Sequence, residues 1–240
     1  MHLKIKLPET GECLIKVGDS VDFSTPFVLV NKAVEVQIPI AQKLGIKPDK
    51  IFRHLKKFVG EKLAKGDVIA AKKSLFSTQK IHAPSEGLIK EIDHEKGVLV
   101  VEISSDEKNN INCYFKGHVH EIVDGTVTIK VSKGIEVPLK KTEANFGGAV
   151  FYFKTPEIAD KVSAEDISDR VVIAEELGDF HQTKMEAMGG RGFVTLINLN
   201  DKSSVPHAMI KQIEDMKKIF EHEYPYCLID SEYSKIYFYS

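Results

Sequence analysis

Apolar and polar residues alternate over short runs through the first 150 positions, a pattern that predicts half-buried β-strands. Residues 97–103 and 125–131 each carry β-branched side chains at alternate positions. Each run follows a similar run that begins with glycine, at 87–93 and at 117–123. The two pairs of runs predict two β-hairpins, and Asp124-Gly125 is typical of a tight hairpin turn.

An internal repeat precedes these hairpins. Residues 17–27 and 59–69 both read Val-Gly-acid-x-aliphatic, followed by a turn of small residues and an apolar pair. Repeated turn chemistry of this kind predicts two matching halves of one β-structure. Between the halves, residues 39–55 predict a helical insert, because Gly45 suits a helix C-cap and Pro48 is acceptable in a first helical turn.

The pattern changes after Lys154. Short apolar runs at 171–174, 192–197, 226–229 and 236–239 predict buried strands. Asp179 is a suitable N-cap for a helix that Gly189 would end, and Ser204 could cap a second helix with an apolar stripe as far as Phe220. Strands that alternate with helices predict a compact, three-layer α/β domain.

Charge divides the chain in a similar way. The 240 residues include 33 Lys and Arg against 35 Asp and Glu. Residues 1–104 have a net charge of +4, residues 105–154 of +1 and residues 155–240 of −7. We therefore expect three domains with these boundaries, with a linker between about 154 and 170.

One stretch of the first domain carries a family signature. Residues 66–71 read Gly-Asp-Val-Ile-Ala-Ala, and residues 80–89 read Lys-Ile-His-Ala-Pro-Ser-Glu-Gly-Leu-Ile. This order resembles the barrel-sandwich hybrid of biotinyl and lipoyl carrier domains. The resemblance covers roughly residues 14–28 and 55–103 and implies a β-rich hybrid within 1–104. With the hydrophobic pattern and the charge division, we expect an α+β multi-domain protein, with a small β-module at 105–154 and the α/β domain at 155–240. The whole chain looks like bacterial proteins that combine these parts.

The position of the carrier lysine changes what the resemblance implies. In carrier domains a modified lysine lies at the hairpin tip, and the corresponding residue here is Phe76. The sequence is therefore more similar to non-carrier hybrids, such as the one that opens the NADH-binding C subunit of Rnf-type ferredoxin–NAD oxidoreductases. We expect a non-catalytic binding or assembly module, in which Leu75 and Phe76 contact a protein partner or a second copy of the chain.

The alternative is a subunit or relative of a flavin or NAD redox enzyme. Residues 145–151 resemble the Gly-Gly-Ala-x-Phe flavin or nucleotide loop of that oxidoreductase family. The preceding glycine and the following proline of that loop are missing. No other nucleotide-binding or catalytic motif is present, so we expect no enzyme activity and no cofactor.

Two groups of residues are candidates for ligand binding. Asp179, His181, Ser204 and His207 follow predicted strands of the α/β domain, where ligands bind at the carboxyl ends of strands. Free backbone N–H groups at Ser204 could hold an anion there.

The second group is the pair His118 and His120, which alternation places on one face of a strand with Glu121 on the other. The pair could begin a metal site if a third ligand came from elsewhere, or it could be two exposed histidines.

Partners and location can also be addressed. Several lysines around the second hairpin, among them Lys116 and Lys130, are mixed with acidic residues, so we expect no nucleic-acid partner. No apolar run is long enough to span a membrane, so no membrane partner is expected either. Three cysteines about a hundred residues apart indicate reduced thiols and a cytoplasmic protein.

Overall fold

A computed structural model of the protein describes residues 1–8, 11–74, 77–155 and 161–240. The chain divides into two compact units: unit 1 comprises Met1–Leu29 and Asn110–Ser240, and unit 2 comprises Val30–Asn109. Unit 2 is thus inserted into the sequence of unit 1. This division differs from the three segments expected from the sequence.

The described residues are rich in β-structure. The strands are β1 (His2–Lys6), β2 (Glu12–Cys13), β3 (Ser20–Val21), β4 (Pro26–Ile38), β5 (Lys62–Leu63), β6 (Val68–Lys73), β7 (Thr78–His82), β8 (Gly87–Asp93), β9 (Val98–Asn112), β10 (Gly117–Val123), β11 (Thr126–Lys130), β12 (Gly134–Thr142), β13 (Phe146–Phe153), β14 (Arg170–Ala174), β15 (Gly192–Thr195), β16 (His207–Ile210), β17 (Tyr226–Asp230) and β18 (Lys235–Tyr239).

Helices are fewer and shorter. They are α1 (Ile40–Leu44), a 3-10 helix (Pro48–Arg53), α2 (Ala164–Ile167), α3 (Asp179–Ala187) and α4 (Ile213–His222). The expected helical insert at 39–55 therefore consists of α1 and the 3-10 helix. No helix in the described part of the chain is long and apolar enough to cross a membrane.

The largest element of unit 1 is a closed barrel of seven strands in the order β12-β16-β15-β14-β13-β17-β18. The pairings β13–β14, β14–β15 and β15–β16 are parallel, and the other pairings of the barrel are antiparallel. The first half of β12 pairs with β18 and its second half pairs with β16, which closes the sheet.

The parallel strands are buried on both faces, which explains their continuous apolar sequences. Val171 and Ile173 of β14 belong to the large core cluster of the barrel strands and α4. Val172 and Ala174 belong to a second cluster, in which α3 contributes Met185. Helices α2 and α3 thus pack on one face of β14, and the side chains of its other face share a core cluster with α4.

The expectation of a β-rich protein is confirmed, but a separate α/β domain at 155–240 is not. The five strands of that segment share one barrel with β12 and β13 from the preceding segment. The expected helix from Ser204 to Phe220 is wrong at its beginning, because β16 occupies His207–Ile210 and α4 begins at Ile213. A short apolar run such as Ala208–Ile210 fits a strand as well as a helix.

The sequence repeat corresponds to a repeated turn. In each turn a glycine at the third position has a φ of about 90°, and the fourth residue's carboxylate accepts a hydrogen bond from the first residue's backbone N–H. The donor–acceptor distances are 2.7 Å in Lys16–Asp19, 2.9 Å in Phe58–Glu61 and 3.2 Å in Ala64–Asp67. The first turn lies in unit 1 and the other two in unit 2.

The two expected hairpins are confirmed, and the strands of one pair in the same relative register as the strands of the other. The β8–β9 hairpin has a bulge between Ile89 and Glu91, and the β10–β11 hairpin has one between Val119 and Glu121. In each unit the glycine of the repeated turn donates its N–H to the strand, Gly60 to Ile89 O and Gly18 to Val119 O, both at 2.9 Å. The same turn-and-hairpin arrangement therefore occurs once in each unit.

The repeat also locates the insertion of unit 2. Thr25 O accepts a hydrogen bond from Cys113 N at 2.9 Å, and at the matching place in unit 2 Asp67 O accepts one from Ala83 N at 2.8 Å. In unit 2 the chain between these partners is the β6–β7 hairpin. In unit 1 the chain between them is β4, the rest of unit 2 and β9. Unit 2 therefore interrupts unit 1 between Thr25 and Cys113, and the matching position in unit 2 is occupied by the β6–β7 hairpin.

Closure of the barrel leads to a prediction about proteolytic cleavage of the chain. A site-specific protease sequence inserted between Lys161 and Val162 will allow the chain to be cut without separating the pieces. The two barrel strands before the cut, β12 and β13, pair only with barrel strands that follow it. The pieces will therefore co-elute in size-exclusion chromatography and separate only in denaturant. Separation of a folded 1–161 fragment in native buffer would show that the shared barrel is not what holds the pieces together.

Candidate functional site

The structure separates the four residues that were expected to share one edge of an α/β sheet. Asp179 and His181 begin α3, after the carboxyl end of β14. His207 instead begins β16 and pairs with Phe193, the second residue of β15. A parallel connection must return the chain to the opposite end of the sheet, so Ser204 and His207 lie at the amino ends of the strands. His207 therefore does not begin a helix, contrary to expectation.

Ser204 does not offer a free anion site. Its backbone N–H donates to Glu186 Oε2 at 3.4 Å, and its hydroxyl donates to the same oxygen at 2.5 Å. Ser203 Oγ and Gln182 Nε2 donate to Glu186 Oε1 at 2.9 Å and 3.0 Å. The carboxylate of α3 thus occupies the place expected for a ligand. Partial burial acts to raise the pKa of Glu186, but the hydrogen bonds led by Ser204 outweigh it and lower the pKa below its usual value.

The other three residues also have partners within the fold. Asp179 Oδ1 accepts a hydrogen bond from Asn200 Nδ2 at 3.0 Å, and the His181 ring lies 5.3 Å from the ring of Phe153. His207 Nε2 lies 2.8 Å from Thr195 Oγ1. Asp179, His181 and His207 therefore each have a partner within the fold.

The hydrogen bonds of Thr195 determine which ring nitrogen of His207 carries a proton. Thr195 Oγ1 donates its one proton to Ile197 O at 2.5 Å, so the His207 ring donates to the hydroxyl. Burial is the main cause that lowers the pKa of His207, with a smaller contribution from the Lys141 cation. A neutral His207 that donates from Nε2 therefore fixes the start of β16 to β15.

His118 and His120 are both exposed. The bulge after Val119 changes the alternation, so Glu121 pairs with Thr128 and is exposed as well, rather than lying on the opposite face as expected. The rings of His120 and His2 lie 4.8 Å apart. Within the described ranges, no group of three or more His, Cys, Asp and Glu side chains is placed to hold a metal ion.

The glycine pair that resembles a nucleotide loop lies inside a strand. Gly147 and Gly148 pair with Leu228 and Cys227 of β17. A Cβ at Gly147 would lie 2.5 Å from the carbonyl oxygens of Cys227 and Tyr114, so this position must be glycine for close packing of the backbone. The resemblance of 145–151 to a flavin or nucleotide loop therefore has a structural explanation.

The expected docking residues Leu75 and Phe76 lie outside the described residues, but the stem that carries them is described. Strands β6 and β7 pair with each other in a two-stranded sheet, and Ser74 N donates to Ser77 O at 2.7 Å. Lys72 Nζ donates to Leu44 O at 2.8 Å and Gln79 Nε2 donates to Lys43 O at 2.7 Å. The stem is therefore fixed to the end of α1.

A cavity of about 450 Å³ in unit 1 was not expected from the sequence. It lies where the open end of the β10–β11 hairpin meets the ends of β17 and β18, and we call it the basic pocket. It is lined by Lys116, Gly117, His118, Lys130, Val131, Ser132, Tyr226 and Ser240. The pocket contains two lysines and a histidine and no carboxylate side chain.

Hydrogen bonds fix the geometry of the basic pocket. Lys116 Nζ donates to the Tyr226 hydroxyl at 3.1 Å, and Lys116 N donates to the Tyr239 hydroxyl at 2.9 Å. Lys130 lies in register between His2 on one side and His118 on the other. The two lysines were visible in the sequence, but Tyr226 lies about a hundred residues away and no sequence signal connects it with them.

A second cavity of about 500 Å³ lies farther along the same sheet face, between β1, β10, β11 and the β17–β18 turn. Several of its polar groups already have partners. Lys6 forms an ion pair with Glu232 at 3.5 Å, and Asp230 Oδ1 accepts hydrogen bonds from the backbone of Glu232 and Tyr233. Asn145 Oδ1 accepts from Ser231. This cavity is therefore a less suitable ligand site than the basic pocket.

No protein-family model, no curated protein and no solved structure matches the chain. Its function is therefore inferred from its own residues.

The Glu186 cluster yields a prediction on pH. Because the folded-state pKa of Glu186 is lowered, its contribution to stability is present above the ordinary value of 4.5 and is lost as the pH falls through the folded value. Glu186→Gln will cost about 1 kcal/mol at pH 7, a low value for a charged hydrogen-bonded group because the site is partly exposed. Urea unfolding between pH 3 and 7 will show less loss at low pH in this variant.

The matched control is Glu221→Gln, which removes an exposed carboxylate from α4. It should leave the unfolding free energy within about 0.5 kcal/mol of the parent. If both substitutions change the pH dependence equally, the effect belongs to net charge and not to the hydrogen bonds of Glu186.

Proposed function

We propose that the protein is a non-catalytic binding or assembly module of a cytoplasmic complex, in which the β6–β7 hairpin of unit 2 docks on a protein partner. The observation that carries this proposal is the fixed stem. Side chains of both strands bond to backbone carbonyl oxygens at the end of α1. A stem held in this way loses little further freedom on binding, and such pre-organisation favours affinity.

The hairpin tip supplies the apolar contact in this proposal. Leu75 and Phe76 interrupt a sequence of Lys, Ser, Thr and Gln residues. An aromatic side chain that enters a partner's pocket is a common source of binding energy. The acidic C-terminal segment, with its net charge of −7, would supply a second contact surface for a basic partner.

We further propose that unit 2 is a non-carrier relative of the barrel-sandwich hybrid. Two features support this. The glycine turn at Ala64–Asp67 is followed by a hairpin that ends at Ala83-Pro84, in the order that the hybrid signature requires. Lys72, one of the lysines nearest the tip, is held by the carbonyl oxygens of Leu44 and Gly45 and is not presented for modification.

The redox alternative has less support. Residues 146–151 of its motif lie in β13, where Gly147 is required by packing. The three cysteines are free thiols, with Cys113 and Cys227 buried. Burial raises the pKa of both thiols to about 12. They are therefore protonated and unreactive at neutral pH, in keeping with a binding role.

Modification provides the first prediction of this proposal. The intact mass of protein purified from its native host will equal that of the unmodified chain, because the carrier position is Phe76 and Lys72 is engaged. Electrospray mass spectrometry measures this directly. An added lipoyl or biotinyl group on Lys72, Lys73 or Lys80 would contradict the proposal.

Docking provides the second prediction. Phe76→Ala will weaken association by about thirtyfold, corresponding to about 2 kcal/mol for an aromatic anchor, with little change in unfolding free energy. Sedimentation measures self-association, and capture from host extract followed by mass spectrometry identifies a partner. Thr78→Ala, an exposed change on the stem, is the matched control and should retain association. A loss of about 3–5 kcal/mol in stability for Phe76→Ala would instead identify a core residue.

A further inference from the structure

We propose that the basic pocket of unit 1 binds a small phosphorylated organic molecule. Its volume of about 450 Å³ lies within the range of small-molecule sites, which is roughly 300–1,000 Å³. The site is separate from the docking hairpin, which belongs to unit 2. The proposal of a ligand site and the proposal of a docking hairpin can therefore be tested independently.

The charged side chains of the basic pocket favour an anionic ligand. Lys116, Lys130 and His118 line the pocket, and none of its lining side chains is a carboxylate. In the part of the chain that the structure describes, Lys116 and Lys130 form no ion pair. In the neighbouring cavity, by contrast, Lys6 is paired with Glu232. The ammonium of Lys116 lies over the Tyr226 ring, 5.1 Å from its centroid, and the Asp22 carboxylate interacts with it electrostatically. Two ammonium groups outside any ion pair, with an imidazole beside them, match a phosphate dianion better than a singly charged carboxylate.

Lys116 is positioned before any ligand arrives. Its backbone N–H and its ammonium are both hydrogen-bonded to tyrosine hydroxyls. The backbone of Lys130 is fixed in a central strand of its sheet, in register with His118. Cations that are already in place lose less side-chain freedom on binding than cations on mobile loops.

An aromatic wall selects the organic part of the ligand. The Tyr226 ring lines the pocket and is held by the rings of Phe23, at 5.6 Å between centroids, and Tyr239, at 5.7 Å. Val131 adds an apolar surface. The cavity is larger than a bare phosphate needs, so a phosphomonoester that carries a planar or apolar group uses both the cations and the wall.

Phenyl phosphate is the probe that tests this inference. Isothermal titration at low ionic strength should give saturable binding at one site per chain, with affinity that falls as salt is added. Lys116→Ala and Lys130→Ala should each weaken binding about tenfold or more, because each removes a charge-assisted hydrogen bond. Inorganic phosphate, which lacks the ring, should bind more weakly than phenyl phosphate.

Lys140→Ala is the matched control, because it removes an exposed lysine from β12 that does not line the pocket. It should retain the parental affinity, and unchanged melting temperatures should verify that all three variants fold. The inference is overturned if the parent shows no saturable binding, or if Lys140→Ala weakens binding as much as Lys130→Ala. It is also overturned if vesicles that contain phosphatidic acid bind the parent while phenyl phosphate does not, since the ligand would then be a lipid surface.

Discussion

The organisation of unit 1 depends on the double pairing of β12. Residues 134–138 of this strand form a ladder with β18, and residues 139–142 form another with β16. One strand therefore joins the parallel half of the sheet to its antiparallel half and leaves no free edge. Closure also determines where the strand ends lie. Ser132, between β11 and β12, donates its N–H at 2.9 Å to the carbonyl oxygen of Ser240, the residue after β18. The basic pocket forms at this junction.

Local features of the fold could be predicted from the sequence because they depend on local chemistry. The glycine turns and the two hairpins require particular residues at fixed spacings, such as Gly18 two residues after Lys16. Barrel closure could not be predicted, because the ladder between Gly134 and Tyr239 joins residues with no sequence relationship. The strand β16 was mistaken for a helix because three apolar residues in a row carry no period.

Prediction of the site was limited in a different way. The expected ligand edge was inferred from the rule that ligands bind at the carboxyl ends of parallel strands. It included Ser204 and His207 because a helix was expected there, whereas His207 begins β16. Here residues 196–206 return the chain without a described helix and are fastened by Glu186. The basic pocket depends on Lys116 and Tyr226, which barrel closure brings together. The bulge between Val119 and Glu121 is not visible in the alternation pattern, and it changes the face of the sheet on which Glu121 lies.

The insertion of unit 2 has a consequence for the order in which the protein can fold during synthesis. β1 cannot pair until β11 has been synthesised, because His2 pairs with Lys130 in the native sheet. Residues 30–109, by contrast, hold the contacts of unit 2 among themselves and leave the ribosome before any strand of the barrel. Unit 2 can therefore reach its native contacts while β1 and β3 still lack their partner strands β11 and β10. The slow step is the closure of the long-range pairs of unit 1, which have the largest sequence separations in the molecule.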